Sequence, residues 1–102
     1  MTKQLRFSHK AEKLLREIGK KKRFTLYYSN RVRTNDGWEC PVCAIANDII
    51  GERKWTVSYL AASKEVKLGL TFNTLNTIVE AADFESNPLR PRLLHLLGMN
   101  ND

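Results

Sequence analysis

The sequence predicts a mainly α domain, a compact bundle of four or five short helices with room for one small β-hairpin near its N-terminus. Three observations carry this. Apolar residues recur at i, i+3, i+4 and i+7 in four segments between positions 11 and 97. Helix-start and helix-stop residues flank those segments, and one aromatic and β-branched run stands apart at residues 24–28. The chain of 102 residues is 42% hydrophobic, which fits a single domain with one modest core spanning residues 1–102. A chain of this size hides only about 60–70% of its unfolded surface on folding, which leaves little room for an elaborate site.

Taken in order, residues 1–7 carry no periodic signal and are expected to fray. Ala11, Leu14, Leu15 and Ile18 then mark one face of a helix that Ser8 caps and that Gly19 is expected to end. The run Lys20-Lys21-Lys22-Arg23 follows, where cations complement the negative end of the helix dipole. Phe24 to Tyr28 has strand composition and Arg31 to Arg33 could pair with it; the residues leave open a hairpin, a strand with a loop, or helix across 24–33. Thr34-Asn35-Asp36-Gly37 is a turn signal.

Pro41 suits the first position of a helix running to Ile50, with Val42, Ile45, Ala46 and Ile49 facing inwards and Gly51 at its end. Trp38 is expected to anchor the preceding loop. A further helix runs from Thr56 to about Lys67, and Leu68-Gly69-Leu70 breaks it. Thr71 to Ala82 follows, with Leu75, Ile78, Val79 and Ala82 as its apolar stripe. Pro88 or Pro91 opens a last helix through Leu89, Leu93, Leu96 and Leu97 to Gly98, with His95 on its outer edge. Residues 99–102 are expected to fray.

Charge is distributed unevenly. Eleven of the seventeen basic residues precede Thr34 against two acids, Glu12 and Glu17, giving +9; the rest holds six cations and nine acids, giving −3 and a net +6. Such a field attracts polyanions. The candidate binding residues are Lys10, Lys13, Arg16, Lys20, Lys21, Lys22, Arg23, Arg31 and Arg33, with Tyr27 and Tyr28 interleaved where they can stack on bases. Alternation along a strand equally allows Phe24 and one tyrosine to be core. Arg90 and Arg92 form a second, weaker basic site; cations at a helix start oppose the dipole, so they are read as serving a partner.

No apolar run approaches the roughly 18–20 residues of a membrane span, and Met1 to Leu5 lacks the apolar core of a secretion signal, so a cytoplasmic protein without membrane contact is expected. No Gly-rich phosphate loop, paired-carboxylate signature or H-E-x-x-H motif is present, and no catalytic residue or cofactor is assigned. Cys40-Pro41-Val42-Cys43 is the exception to weigh. A thiol at a helix start is biased towards thiolate; the same pair could be half of a zinc site, but His9 and His95 are remote and no second pair exists. The plain alternative has Cys40 capping a helix and Cys43 packing as a small hydrophobe.

Three resemblances rest on these residues. Leu68-Gly69-Leu70-Thr71 through Thr74, Leu75 and Ile78 resembles the turn and second helix of a helix-turn-helix. It departs from that motif at Glu65, where a small residue belongs, and in having no cation on the second helix. Phe24 to Tyr28 followed by Trp38 to Cys43 resembles the start of a glutaredoxin, which implies Cys40 as attacking and Cys43 as resolving thiol. It lacks the later βαβ material and the proline-bearing strand of that family. Trp38 to Ala44, Leu68 to Leu70, Ile78 to Asp83 and Arg92 to Gly98 together resemble small uncharacterised helical accessory proteins of phages and bacteria. That resemblance implies a phage-encoded regulator or inhibitor of host machinery. The expected function is thus non-enzymatic binding of nucleic acid or an acidic protein surface. Thiol–disulfide exchange and a protein–protein inhibitor without nucleic-acid contact remain the alternatives.

Overall fold

The computed structural model describes residues 5–36, 39–52, 55–62 and 68–99. Its elements are α1 (His9–Lys21), β1 (Phe24–Tyr27), a 3-10 turn (Tyr28–Asn30), β2 (Arg31–Thr34), α2 (Pro41–Ile50), α3 (Val57–Ala62), α4 (Phe72–Asp83) and α5 (Arg90–Leu96). This is the expected mainly α fold with one small hairpin. Helix α4 is its hub, packing against α2, α3, α5 and β2, while α1 packs on α2 and α5.

Local chemistry sets the helix starts. Ser8 Oγ accepts from the Ala11 N–H at 3.3 Å, and Thr71 Oγ1 accepts from the Thr74 N–H at 3.2 Å. Cys40 caps α2 with Pro41 in its first turn. Each cap satisfies a donor that the first helical turn leaves free. Ala11, Leu15 and Ile18 of α1, Val42, Ile45 and Ala46 of α2, Leu75, Ile78 and Ala82 of α4, and Leu93, Leu96 and Leu97 are buried in one core, as their spacing predicts. Leu68 and Leu70 are buried on either side of Gly69, whose φ of 70° makes the turn into α4.

The hairpin is antiparallel, pairing Phe24 with Thr34, Thr25 with Arg33, Leu26 with Val32 and Tyr27 with Arg31. Alternation puts Phe24, Val32 and Thr34 on one face, and all three are buried. Phe24 is therefore core, but neither tyrosine is: both Tyr27 and Tyr28 reach solvent.

Other expectations need correction. Helix α1 does not stop at Gly19 but continues to Lys21. A Cβ on Gly19 would lie 2.8 Å from the Leu97 Cα, so this glycine serves close packing and not a left-handed cap. Ile49 is exposed, because the last turn of α2 runs past the core. Among the ends expected to fray, residues 1–4 and 100–102 lie outside the described residues; Phe7 is buried and Met99 packs against the core. Trp38, residues 63–67 of the third expected helix and Glu65 also lie outside them. No helix among the described residues is long and apolar enough to cross a membrane.

Candidate nucleic-acid interface

The outer face of α1 follows from its inner one. With 3.6 residues per turn, His9, Lys13, Arg16 and Lys20 fall at i, i+4, i+7 and i+11, opposite the stripe of Ala11, Leu15 and Ile18. All four are exposed. The stripe extends about 16 Å at the helical rise of roughly 1.5 Å per residue. Lys10 leaves it, its side chain lying against Gly69 in the turn before α4. Arg23 is exposed beyond the end of α1, and Arg31 is exposed where β2 leaves the hairpin tip.

Three of the nine candidate cations are engaged within the fold. Lys21 pairs with Asp48 at 2.7 Å, Lys22 with Glu39 at 2.9 Å and Arg33 with Asp83 at 2.8 Å. Lys22 belongs to a chain of contacts: Glu39 also accepts from Asn47 Nδ2, and Asn47 accepts from the buried Trp55 indole at 2.7 Å. Lys22 thus ties the end of α1 to the start of α2 and Arg33 ties the hairpin to α4, while the Lys21 pair lies in water, where ion pairs contribute little. Lys10, Lys13, Arg16, Lys20, Arg23 and Arg31 form no salt bridge among the described residues. An open groove of about 730 Å³ runs between the end of α1, β1 and residues 97–99, with Lys20 and Arg23 on its wall.

Arg90 and Arg92, read from sequence as serving a partner, are both engaged within the fold. Arg90 is buried and donates to the carbonyls of Ala81 and Ala82 at the end of α4 and to that of Asn30. Arg92 forks onto Glu12. Both cations hold elements together.

The helix-turn-helix corner exists as packing of α3 on α4. Its second helix is poorly placed for reading bases. Asn76 donates to Glu80 at 2.7 Å, Thr77 to the Asn73 carbonyl at 2.7 Å, and Thr74 bonds to the cap residue Thr71. Helix α4 packs against four neighbouring elements while Phe72, Asn73 and Glu80 stay exposed, and none of its own residues is cationic.

Cys40 and Cys43 meet at the start of α2. Cys40 Sγ accepts from the Cys43 N–H at 3.4 Å, and the Cys43 thiol points to the Trp55 carbonyl at 3.9 Å. The thiol of Cys43 beside Cys40 holds the Cys40 pKa down to about 7 against the opposing effect of burial, with help from the helix-start N–H groups and the Arg33 guanidinium. Cys43 moves the other way, because it hydrogen-bonds to the Cys40 thiolate and is itself desolvated. No group of three or more His, Cys, Asp or Glu among the described residues is placed to hold a metal ion.

Phe84 was not singled out by sequence. It is 60% exposed and shares a groove of about 500 Å³ with Ser29 and Arg31. A lone aromatic in a polar connector gives no periodic signal, so nothing local marks it. Comparison with known proteins adds no functional information: no family model, no curated protein and no solved structure matches the chain.

Proposed function

We propose that this protein is a non-enzymatic nucleic-acid-binding module whose contact surface is the outer stripe of α1, continued by Arg23 and the hairpin. The observation that carries the reading is that Lys13, Arg16 and Lys20 share one water-facing stripe and none forms an ion pair among the described residues. Cations near the end of α1 also stabilise the helix, and that alone accounts for Lys20 and Lys21. It does not account for Lys13 and Arg16, which lie one or two turns earlier. A row of cations about 10 Å long, from Lys13 to Lys20 at roughly 1.5 Å per residue, matches a phosphate backbone better than one compact carboxylate cluster. The test is the salt dependence of oligonucleotide binding, because each phosphate contact releases condensed counterions. Failure to bind oligonucleotides even at low salt would favour a protein partner instead, and oligonucleotide binding indifferent to salt would take the cations of α1 out of the contact.

A second reading rests on the thiols. Cys40 at the start of α2, with its pKa near neutrality and Cys43 beside it, has the makings of a thiol–disulfide exchanger. The Cys40 thiolate attacks one sulfur of an organic disulfide, forming a mixed disulfide and releasing one thiolate. Deprotonated Cys43 then displaces the second thiolate from Cys40 and closes an internal disulfide, so two thiols are oxidised as one disulfide is reduced. The two readings use different surfaces and are separable by mutation.

A further inference from the structure

The hairpin tip holds a strained backbone in place and yet leaves its rings in water. Ser29 and Asn30 have φ of 56° and 60°. Non-glycine residues take that left-handed conformation seldom, and keep it only where the surroundings enforce it. Here the Arg90 and Glu85 side chains hold it. The buried Arg90 guanidinium donates to the Asn30 carbonyl while it is held by the Ala81 and Ala82 carbonyls at 3.2 and 3.1 Å. The Asn30 side chain donates to Glu85 Oε2 at 2.8 Å. The tip is thereby fastened to the end of α4 and to the connector that follows.

What this held tip presents is aromatic. Tyr28 is 82% exposed, and its ring meets that of Tyr27 edge to face at 5.3 Å and 85°. Tyr27 stands directly across the ladder from Arg31, and Phe84 lies across the adjoining groove from Arg31 and Ser29. Exposed rings on a braced turn add nothing to the core. They do offer flat, rigid faces at low cost in side-chain entropy.

We infer that the tip is a base-stacking platform, so that the nucleic acid bound by this protein is single-stranded; the inference rests on the nucleic-acid reading above. Charge separates the two halves of the surface. Lys20 and Arg23 line the groove at one end of β1, and Tyr27 lies four residues beyond Arg23, about 13 Å away at the rise of an extended strand. The groove at the tip is walled by Asp83 and Glu85 as well as Arg31. Asp83 is already paired with Arg33, and the remaining charges of the groove, Glu85 and Arg31, offset one another, so the space suits an uncharged base while the phosphodiester chain follows the cations. Base–aromatic stacking of this kind tolerates any sequence, because every base has a π-face. Bases inside a duplex are already stacked on one another and are out of reach of such side chains.

Fluorescence anisotropy with labelled twelve-nucleotide DNA and RNA strands, the matching duplexes, and a strand with abasic central positions tests this on the full chain. The expected result is tighter binding of single strands than of duplex, with DNA and RNA arms showing which polynucleotide is favoured. Loss of the central bases and Tyr28→Ala should each weaken single-strand binding about ten-fold, within the range that alanine replacement of stacking residues produces. Tyr28→Phe should retain affinity, and Tyr28→Ala should leave abasic-strand binding and the salt slope unchanged. Equal affinity for duplex and single strand, or a Tyr28→Ala loss that is the same on the abasic strand, would overturn the stacking inference alone. Failure to bind any of these oligonucleotides would overturn it together with the reading of α1. Tyr28 is solvent-exposed, so its replacement does not endanger the fold.

Discussion

Arg92 forks onto Glu12, donating from Nε at 2.9 Å to one carboxylate oxygen and from a terminal guanidinium nitrogen at 2.6 Å to the other. The two residues are eighty positions apart and join the first turns of α1 and α5. Glu12 is buried, and the Phe7 N–H donates to it as well. Removing one partner of such a pair leaves a desolvated charge behind. Arg92→Ala should therefore lower unfolding stability by roughly 1–3 kcal/mol, the cost of leaving a desolvated polar group without its partner. Urea unfolding with a loss under about 1 kcal/mol would show that water compensates the carboxylate.

The same contact has a pH signature. The Arg92 hydrogen bonds hold the Glu12 carboxyl below its ordinary value, against the opposing effect of burial. The unfolded chain then takes up this proton before the folded one, so the contribution is complete above about pH 4.3 and falls away as pH drops towards the lowered folded value. Glu12→Gln should flatten that part of the stability profile. A variant with the wild-type slope between pH 5 and 3 would assign the acid sensitivity to other carboxylates.

Gly19→Ala sets helix propensity against packing. Alanine favours a helix interior by about 1 kcal/mol over glycine. The new Cβ would meet the Leu97 Cα, C and O at 2.8 to 2.9 Å, and these are backbone atoms that cannot simply rotate away. The clash should prevail, with a net loss of about 1–2 kcal/mol, in the range measured for overpacked cores. A gain in melting temperature would mean that α5 slides without cost.

Much of the helical frame was legible because it is local. Ser8, Pro41 and Thr71 announce their helices, and Leu75, Ile78 and Ala82 keep period on α4. What was not legible depends on distant neighbours. Gly19 looks like a stop signal, and only Leu97, far along the chain, shows it to be a contact glycine. Arg90 looks like a surface cation until the hairpin tip and the end of α4 close around it. The partners of Lys21, Lys22 and Arg33 lie 27, 17 and 50 residues away, so the sequence places the cations on the N-terminal segment without separating engaged from unengaged ones.

The thiols give an independent expectation. With its pKa near 7, Cys40 should react with iodoacetamide at pH 6 several times faster than an ordinary cysteine thiol, and Cys43 should not compete. Mass spectrometry of the alkylated peptide locates the label. Arg33→Gln should raise the Cys40 pKa and slow the reaction at pH 6. Labelling of Cys43 first, or no labelling below pH 8, would remove the exchange reading.

The most direct measurement of the central claim is the slope of log affinity against log salt for a single-stranded oligonucleotide. It compares the wild-type chain with the triple variant Lys13→Gln, Arg16→Gln and Lys20→Gln. All three side chains are exposed and outside the ion pairs described, so the fold should survive. If the outer stripe of α1 follows a phosphate backbone, affinity falls steeply with salt and the variant loses roughly 0.7 of slope for each contact removed. An identical slope and affinity in the variant would place the contact, if there is one, somewhere other than this face.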